Sequence, residues 1–345
     1  MNFLPTINWK DEFKQAFAWK LDEKQREKNR IDYIDLAKGI CIFLVVLHHA
    51  LLNYDIRDYP SMHFFQMFRM PLYFLLSGLF FKQYEGFFGF MKRKINKLLI
   101  PYIAFSLITL LMPYHNRAIW FLLCLFILNI FFYAIFEIAE ISEKKYSQKA
   151  KIIVIVALSI IAGIIGFYLC KQRILFKTYI PTALVAIPFF GLGFVMRKYT
   201  KILNNSKYDK FMWILAIPLF FITWICQGRA TFLFGIFELS LISLYIGGFA
   251  GILAILFIAK SLHRLPILSY CGRYSIIILV THLFVLKFAL KRVISIFTGM
   301  GMKDYVAVAI LSVILMLAYV FIIPLVKTYM PHITAQKDVI PINTN

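Results

Sequence analysis

Long, uninterrupted apolar runs constrain this chain more than any other feature. They lie near residues 34–53, 64–81, 95–112, 119–136, 152–169, 179–196, 211–226, 239–259, 268–288 and 306–326. Each approaches the roughly 20 residues a helix needs to cross a bilayer. Within a membrane the backbone must satisfy its own hydrogen bonds, so such runs fold as helices. The expectation is an all-α membrane protein, a bundle of about ten transmembrane helices. The seventh run is short and Arg229 to Glu238 reads as a re-entrant or interfacial piece, so nine or eleven spans are the alternatives. Of the 345 residues 61% are hydrophobic and 16% charged, which excludes a water-soluble globule and leaves no room for a separate soluble catalytic domain.

A net charge of +21 would point to nucleic acid in a soluble protein. Here its placement decides the reading, and no nucleic-acid partner is expected. With the N-terminus inside, well over half of the 38 Lys and Arg fall on one side: Lys10 to Arg30, Lys38, Lys82, the run Lys92 to Lys97, and the later clusters around Lys144, Arg197, Arg264 and Lys327. The positive-inside rule then puts both termini in the cytoplasm, for a multi-pass protein of the cytoplasmic (inner) membrane whose basic loops face lipid headgroups. Residues 1–33 read as a basic cytoplasmic arm, 34–326 as the transmembrane domain and 327–345 as a cytoplasmic C-terminal tail. The arm is too polar for a cleavable signal peptide and carries Trp9, Phe13, Phe17 and Trp19, a pattern for an interfacial helix. Five cysteines without a CxxC pair imply neither a metal site nor a disulfide framework.

Ionisable residues inside spans are costly and mark pathways or sites. At 1.5 Å per residue His49 lies roughly 22 Å above the inner end of the first span. Arg69 on the second span and His282 on the ninth fall at nearly the same height, roughly 22 and 21 Å. Histidine is the commonest general base, and a fixed guanidinium holds a carboxylate, a phosphate or a developing oxyanion. The combination suits acyl transfer. The alternative is three side chains bonded to backbone carbonyls between helices. His48 points about 100° round the helix from His49, so one of the two faces a given cavity. Asp35 and Lys38 are spaced for a helix-surface ion pair.

The stretch Asp35-Leu-Ala-Lys-Gly-Ile-Cys-Ile-Phe-Leu-Val-Val-Leu-His-His49 resembles the first helix of the membrane acyltransferase-3 family, whose members acylate carbohydrates. In that family a basic residue, usually Arg, precedes a catalytic His with ten residues between, as Lys38 and His49 do here. Lys keeps the charge but loses the bidentate fork. Phe68-Arg-Met-Pro-Leu-Tyr-Phe-Leu-Leu-Ser-Gly78 is similar to the family's second-helix motif, where His often stands at the Arg69 position. Lys92-Arg-Lys-Ile-Asn-Lys-Leu-Leu-Ile-Pro-Tyr102 resembles its basic run leading to Pro, and Ile119-Trp-Phe-Leu122 the start of its fourth span. Leu268 to His282 resembles its late Gly-x-x-Ser helix ending in His, and Phe189-Phe-Gly-Leu-Gly193 is a weaker echo.

The resemblance implies ten helices, an acyl-CoA donor (acetyl-CoA first) bound from the cytoplasm, a carbohydrate or lipid-linked sugar acceptor, and a catalytic His49; the shared height adds Arg69 and His282 as the groups that would stabilise the oxyanion. Lys38, Lys92, Arg93 and Lys94 are then the candidates for the donor's anionic part. Trp120 and Ser77 are candidates for substrate contact, against the alternatives of an interfacial belt for Trp120 and of close helix packing for Ser77-Gly78. Pro71, Pro101, Pro181 and Pro188 are expected to kink helices. A secondary transporter using the same intramembrane residues is the competing class, and the absence of a visible internal repeat weighs against it.

Overall fold

The computed structural model describes residues 5–21, 30–54, 56, 61–111, 117–199, 203–299 and 303–342. Its helices are α1 (Trp9–Phe17), α2 (Asp32–Asn53), α3 (Met62–Gln66), α4 (Arg69–Leu79), α5 (Gly86–Lys94), α6 (Ile100–Leu110), α7 (Trp120–Lys145), α8 (Gln148–Lys171), α9 (Ile180–Tyr199), α10 (Met212–Cys226), α11 (Leu241–Leu262), α12 (Pro266–Arg273), α13 (Ser275–Gly299) and α14 (Asp304–Tyr329). A five-residue π turn, Ile95–Leu99, joins α5 to α6. Side-chain caps start several of them: the Asn8 side chain accepts from Asp11 N, Ser147 from Ala150 N and Ser240 from Ser243 N.

Among the described residues seven helices are long and apolar enough to cross a membrane, or eight if α12 and α13, bent by 97° at Tyr274, count as one broken span. The architecture is consistent with an all-α membrane protein. The two remaining apolar runs yield shorter pieces. A break at Met67 and Phe68 leaves α4 with 11 residues, about 16 Å of helix, and α6 has the same length beyond the π turn. The Arg229 to Glu238 stretch holds a small antiparallel pairing, β1 (Ala230–Thr231) with β2 (Ile236–Phe237). Two of the four prolines expected to kink helices instead sit in first turns, Pro71 in α4 and Pro181 in α9, where the missing N–H is unneeded, while Pro101 directly follows the π turn in a run that is helical from α5 through α6. Pro188 lies inside α9.

The helix α2 is central and packs against α4, α11, α12, α13 and α14. Two crossings are glycine-on-backbone contacts. A Cβ on Gly39 would strike the Leu268 carbonyl and one on Gly272 the Asp35 carbonyl, so α2 and α12 meet main chain to main chain. The crossing of α4 and α9 repeats the device, with Gly78 against the Phe190 carbonyl and Gly193 against the Leu75 carbonyl. Peripheral α8 and α10 instead turn Ile160, Ile164, Ile217 and Trp224 outward.

The N-terminal arm is docked on this bundle. Trp9 packs tilted and Phe13 edge-on against Phe321, at 6.3 and 5.3 Å between ring centroids, and the Tyr270 hydroxyl donates to Glu12 at 2.8 Å. Glu12 also pairs with Lys327, while Arg264 donates to the Gln15 and Ala18 carbonyls. Lys24, Arg26 and Lys28 of the arm lie outside the described residues. All five cysteines are free thiols.

Candidate active site

Two helices from opposite ends of the sequence bring His49 and His282 into contact. His282 Nε2 lies 3.4 Å from His49 Nδ1, with ring centroids 5.0 Å apart and an interplanar angle of 63°. Each ring is tied to its own helix. His49 Nδ1 is 2.8 Å from the Val45 carbonyl, and His282 Nδ1 is 2.8 Å from the Ile278 carbonyl and 3.0 Å from that of Leu279. A carbonyl oxygen only accepts, so both Nδ1 atoms carry the proton and both Nε2 atoms are acceptors. The His282 Nε2 lone pair faces the shared His49 N–H, which leaves His49 Nε2 as the open basic atom of the pair. His282 is wholly buried and His49 half-buried.

Arg69 opens α4 and is itself buried. Its guanidinium lies within electrostatic reach of His48, His49 and Cys41. The three residues read from sequence at one membrane level therefore converge in space, from α2, α4 and α13. His48, at 5.4 Å ring to ring from His49, flanks the pair from the other side of α2.

A cavity of about 300 Å³ lies one helical turn away, and none of His49, Arg69 and His282 lines it. Val45 and Leu279, the residues one turn before His49 and His282, line it, and Lys38, Tyr73, Ser77, Lys97 and Ser275 give it its polar groups. Phe121, Leu122 and Leu125 form an apolar wall from α7. Its size lies at the lower edge of small-ligand pockets, about 300–1,000 Å³.

The remaining predicted residues sort by this cavity. Lys38 lines it, with its ammonium 5.7 Å from the Phe80 ring centroid. The expected Asp35–Lys38 pair is replaced by Arg30, which grips Asp35 through Nε at 2.7 Å and Nη2 at 3.2 Å. Two contacts from a planar fork outbid a single ammonium on the next turn. Ser77 lines the cavity, and the adjacent Gly78 makes the close helix crossing. Lys92, Arg93 and Lys94 do not line it. Lys92 is exposed, Arg93 sits over the Tyr84 ring at 4.3 Å, and Lys94 over Phe90 at 5.3 Å, where burial brings its ammonium down to about 8. Trp120 is buried against Phe121 and Tyr179, and its neighbour Phe121 is the ring that reaches the cavity.

Sequence reading missed Lys97, Tyr73 and Ser275. Lys97 was legible as the last cation of the basic run, one turn nearer the membrane than Lys94. Tyr73 lies one turn after Arg69 and donates its hydroxyl to the Lys38 carbonyl at 3.0 Å. A family model, Acyl_transf_3, described as an acyltransferase domain, matches residues 31–328. No curated protein and no solved structure matches the chain.

Proposed function

Because the chain belongs to the acyltransferase family whose domain it matches over residues 31–328, we propose that it transfers an acyl group, acetyl first, from acyl-CoA to a hydroxyl of a cell-surface or lipid-linked carbohydrate. The observation that carries this reading is the carbonyl-pinned histidine pair beside a buried arginine, one helical turn from a cavity lined by Lys38 and Lys97. In this proposal the short helices α4 and α6 also lie at membrane depth, giving ten spans in the cytoplasmic membrane with both termini cytoplasmic. The thioester arm enters past Lys97 and Lys38, whose charges attract the donor's phosphates. The acceptor hydroxyl gives its proton to His49 Nε2 as its oxygen attacks the thioester carbon. Arg69 offsets charge on the tetrahedral oxyanion, the C–S bond breaks, and the proton passes from His49 to the leaving thiolate. A transient acyl-imidazole at the same atom is the stepwise variant.

Purified protein in nanodiscs with labelled acetyl-CoA tests the proposal. Free CoA and a labelled glycan are the expected products. Ligand flux across vesicles without CoA release would overturn it in favour of a carrier. The arginine has its own test. Arg69→Lys keeps the charge and loses the fork, so kcat is expected to fall about 10- to 100-fold while the thermal midpoint moves little. Unchanged kinetics would reduce Arg69 to a packing role.

A further inference from the structure

The segment after α14 folds back onto the cavity, through contacts made mainly by two residues of the π turn. Asn96, 1% exposed, treats the chain as a strand partner: its Oδ1 accepts from Val339 N at 3.0 Å and Ile340 N at 2.9 Å, and its Nδ2 donates to the Ile340 carbonyl at 2.8 Å. Lys97 donates to the Ala335 carbonyl at 2.8 Å and faces the Asp338 carboxylate at 3.3 Å. Ala335 itself forms part of the cavity wall, beside Lys97.

We propose that residues 335–340 are a displaceable stopper in the mouth of the donor cavity, and that the donor enters by lifting it. This rests on the acyl-CoA reading above. Three features favour displacement over permanent closure. The anchors are polar and can be exchanged for water. The Lys97–Asp338 pair is half open to solvent, the two side chains being 49% and 36% exposed, and exposed pairs are weak. Ala335 is held at φ +60°, a conformation L-residues resist, so releasing the segment relieves local strain. The root stays fixed: Thr334 is fully buried and donates to the Met330 carbonyl at 2.7 Å. The Asp338 carboxylate meanwhile occupies the cation nearest the mouth, so a donor phosphate and this side chain compete for one ammonium.

Two surface substitutions loosen the stopper without touching the bundle. Asp338→Asn removes the carboxylate, and Val339→Pro removes a donor to Asn96 at a residue that is 52% exposed. In full-length protein in nanodiscs, each is expected to lower KM for acetyl-CoA about two- to five-fold with kcat unchanged. In the wild type, the Val339 and Ile340 amides are expected to be protected from hydrogen exchange and to lose that protection on saturation with CoA. Unchanged KM in both variants, or protection that persists with CoA bound, overturns the stopper while leaving the enzyme reading intact. A fall in kcat without a fall in KM would make the segment a structural brace and also overturns it. A wild type that neither binds nor consumes acetyl-CoA overturns both proposals.

Discussion

Replacing His49 by alanine is expected to lower acyl transfer by about 100- to 10,000-fold, the range that a positioned general base supplies, with a much smaller fall in stability, about 1–3 kcal/mol. The imidazole is half-buried and its N–H is shared between the Val45 carbonyl, already in the α2 ladder, and the buried His282 Nε2, which loses that donor when the ring is removed. What disappears is the Nε2 lone pair assigned to the base in the proposed reaction. His48 cannot take over, because it lies on another face of α2, and His48→Gln is expected to cost much less than His49→Ala. His282→Gln should fall between them. That ring is fully buried and adjoins the base, so its loss lets His49 rotate away from the productive orientation. Steady-state turnover of acetyl-CoA by the three purified variants, alongside their melting curves, checks the ordering. Wild-type rates in His49→Ala would remove the imidazole from the chemistry altogether.

Gly272→Val is expected to damage the fold more than any of the histidine changes. A side chain at this position would occupy the Asp35 carbonyl, which is backbone and cannot step aside as a flexible side chain would. The crossing of α2 and α12 must widen, at about 1–3 kcal/mol for overpacking. The same displacement carries α13, which follows α12 after the bend at Tyr274, away from α2, and with it His282 away from His49. Activity should therefore fall further than the thermal midpoint implies, since even about 1 Å of misplacement disables a positioned pair. Gly272→Ala is expected to act in the same direction and less strongly. Scanning fluorimetry and turnover on the same preparation measure both effects, and a Gly272→Val protein with native melting and native rate would contradict the contact.

The helices α2, α7, α8, α9, α10, α11 and α14 were legible as apolar runs because hydropathy alone pays no heed to partners: a segment of that length and composition has one stable form in lipid. The two runs that produced short helices contain what hydropathy averages over, an aromatic-rich break at Met67 and Phe68 and a basic run that widens into a π turn. The level shared by His49, Arg69 and His282 was likewise legible, because height along a helix is residue count times rise. Lys38 was found through the resemblance to the acyltransferase family, in which a basic residue precedes the catalytic His with ten residues between. Lys92, Arg93 and Lys94 were singled out ahead of Lys97 because a sequence shows a cluster of charge and not which member faces inward. Arg93 and Lys94 were taken up by Tyr84 and Phe90, contacts no linear pattern announces.

The sequence by itself thus determined which segments form long apolar helices and which ionisable groups stand at matching heights along them, since both follow from local composition and a fixed rise per residue. Only the tertiary structure decided that two imidazoles touch, that Arg30 rather than Lys38 takes Asp35, and that residues after α14 return to Asn96 and Lys97. Those facts depend on which way each helix is turned and how closely its neighbours approach. Glycines meeting backbone at two crossings fix that approach, and it is a property of pairs of segments far apart in the chain.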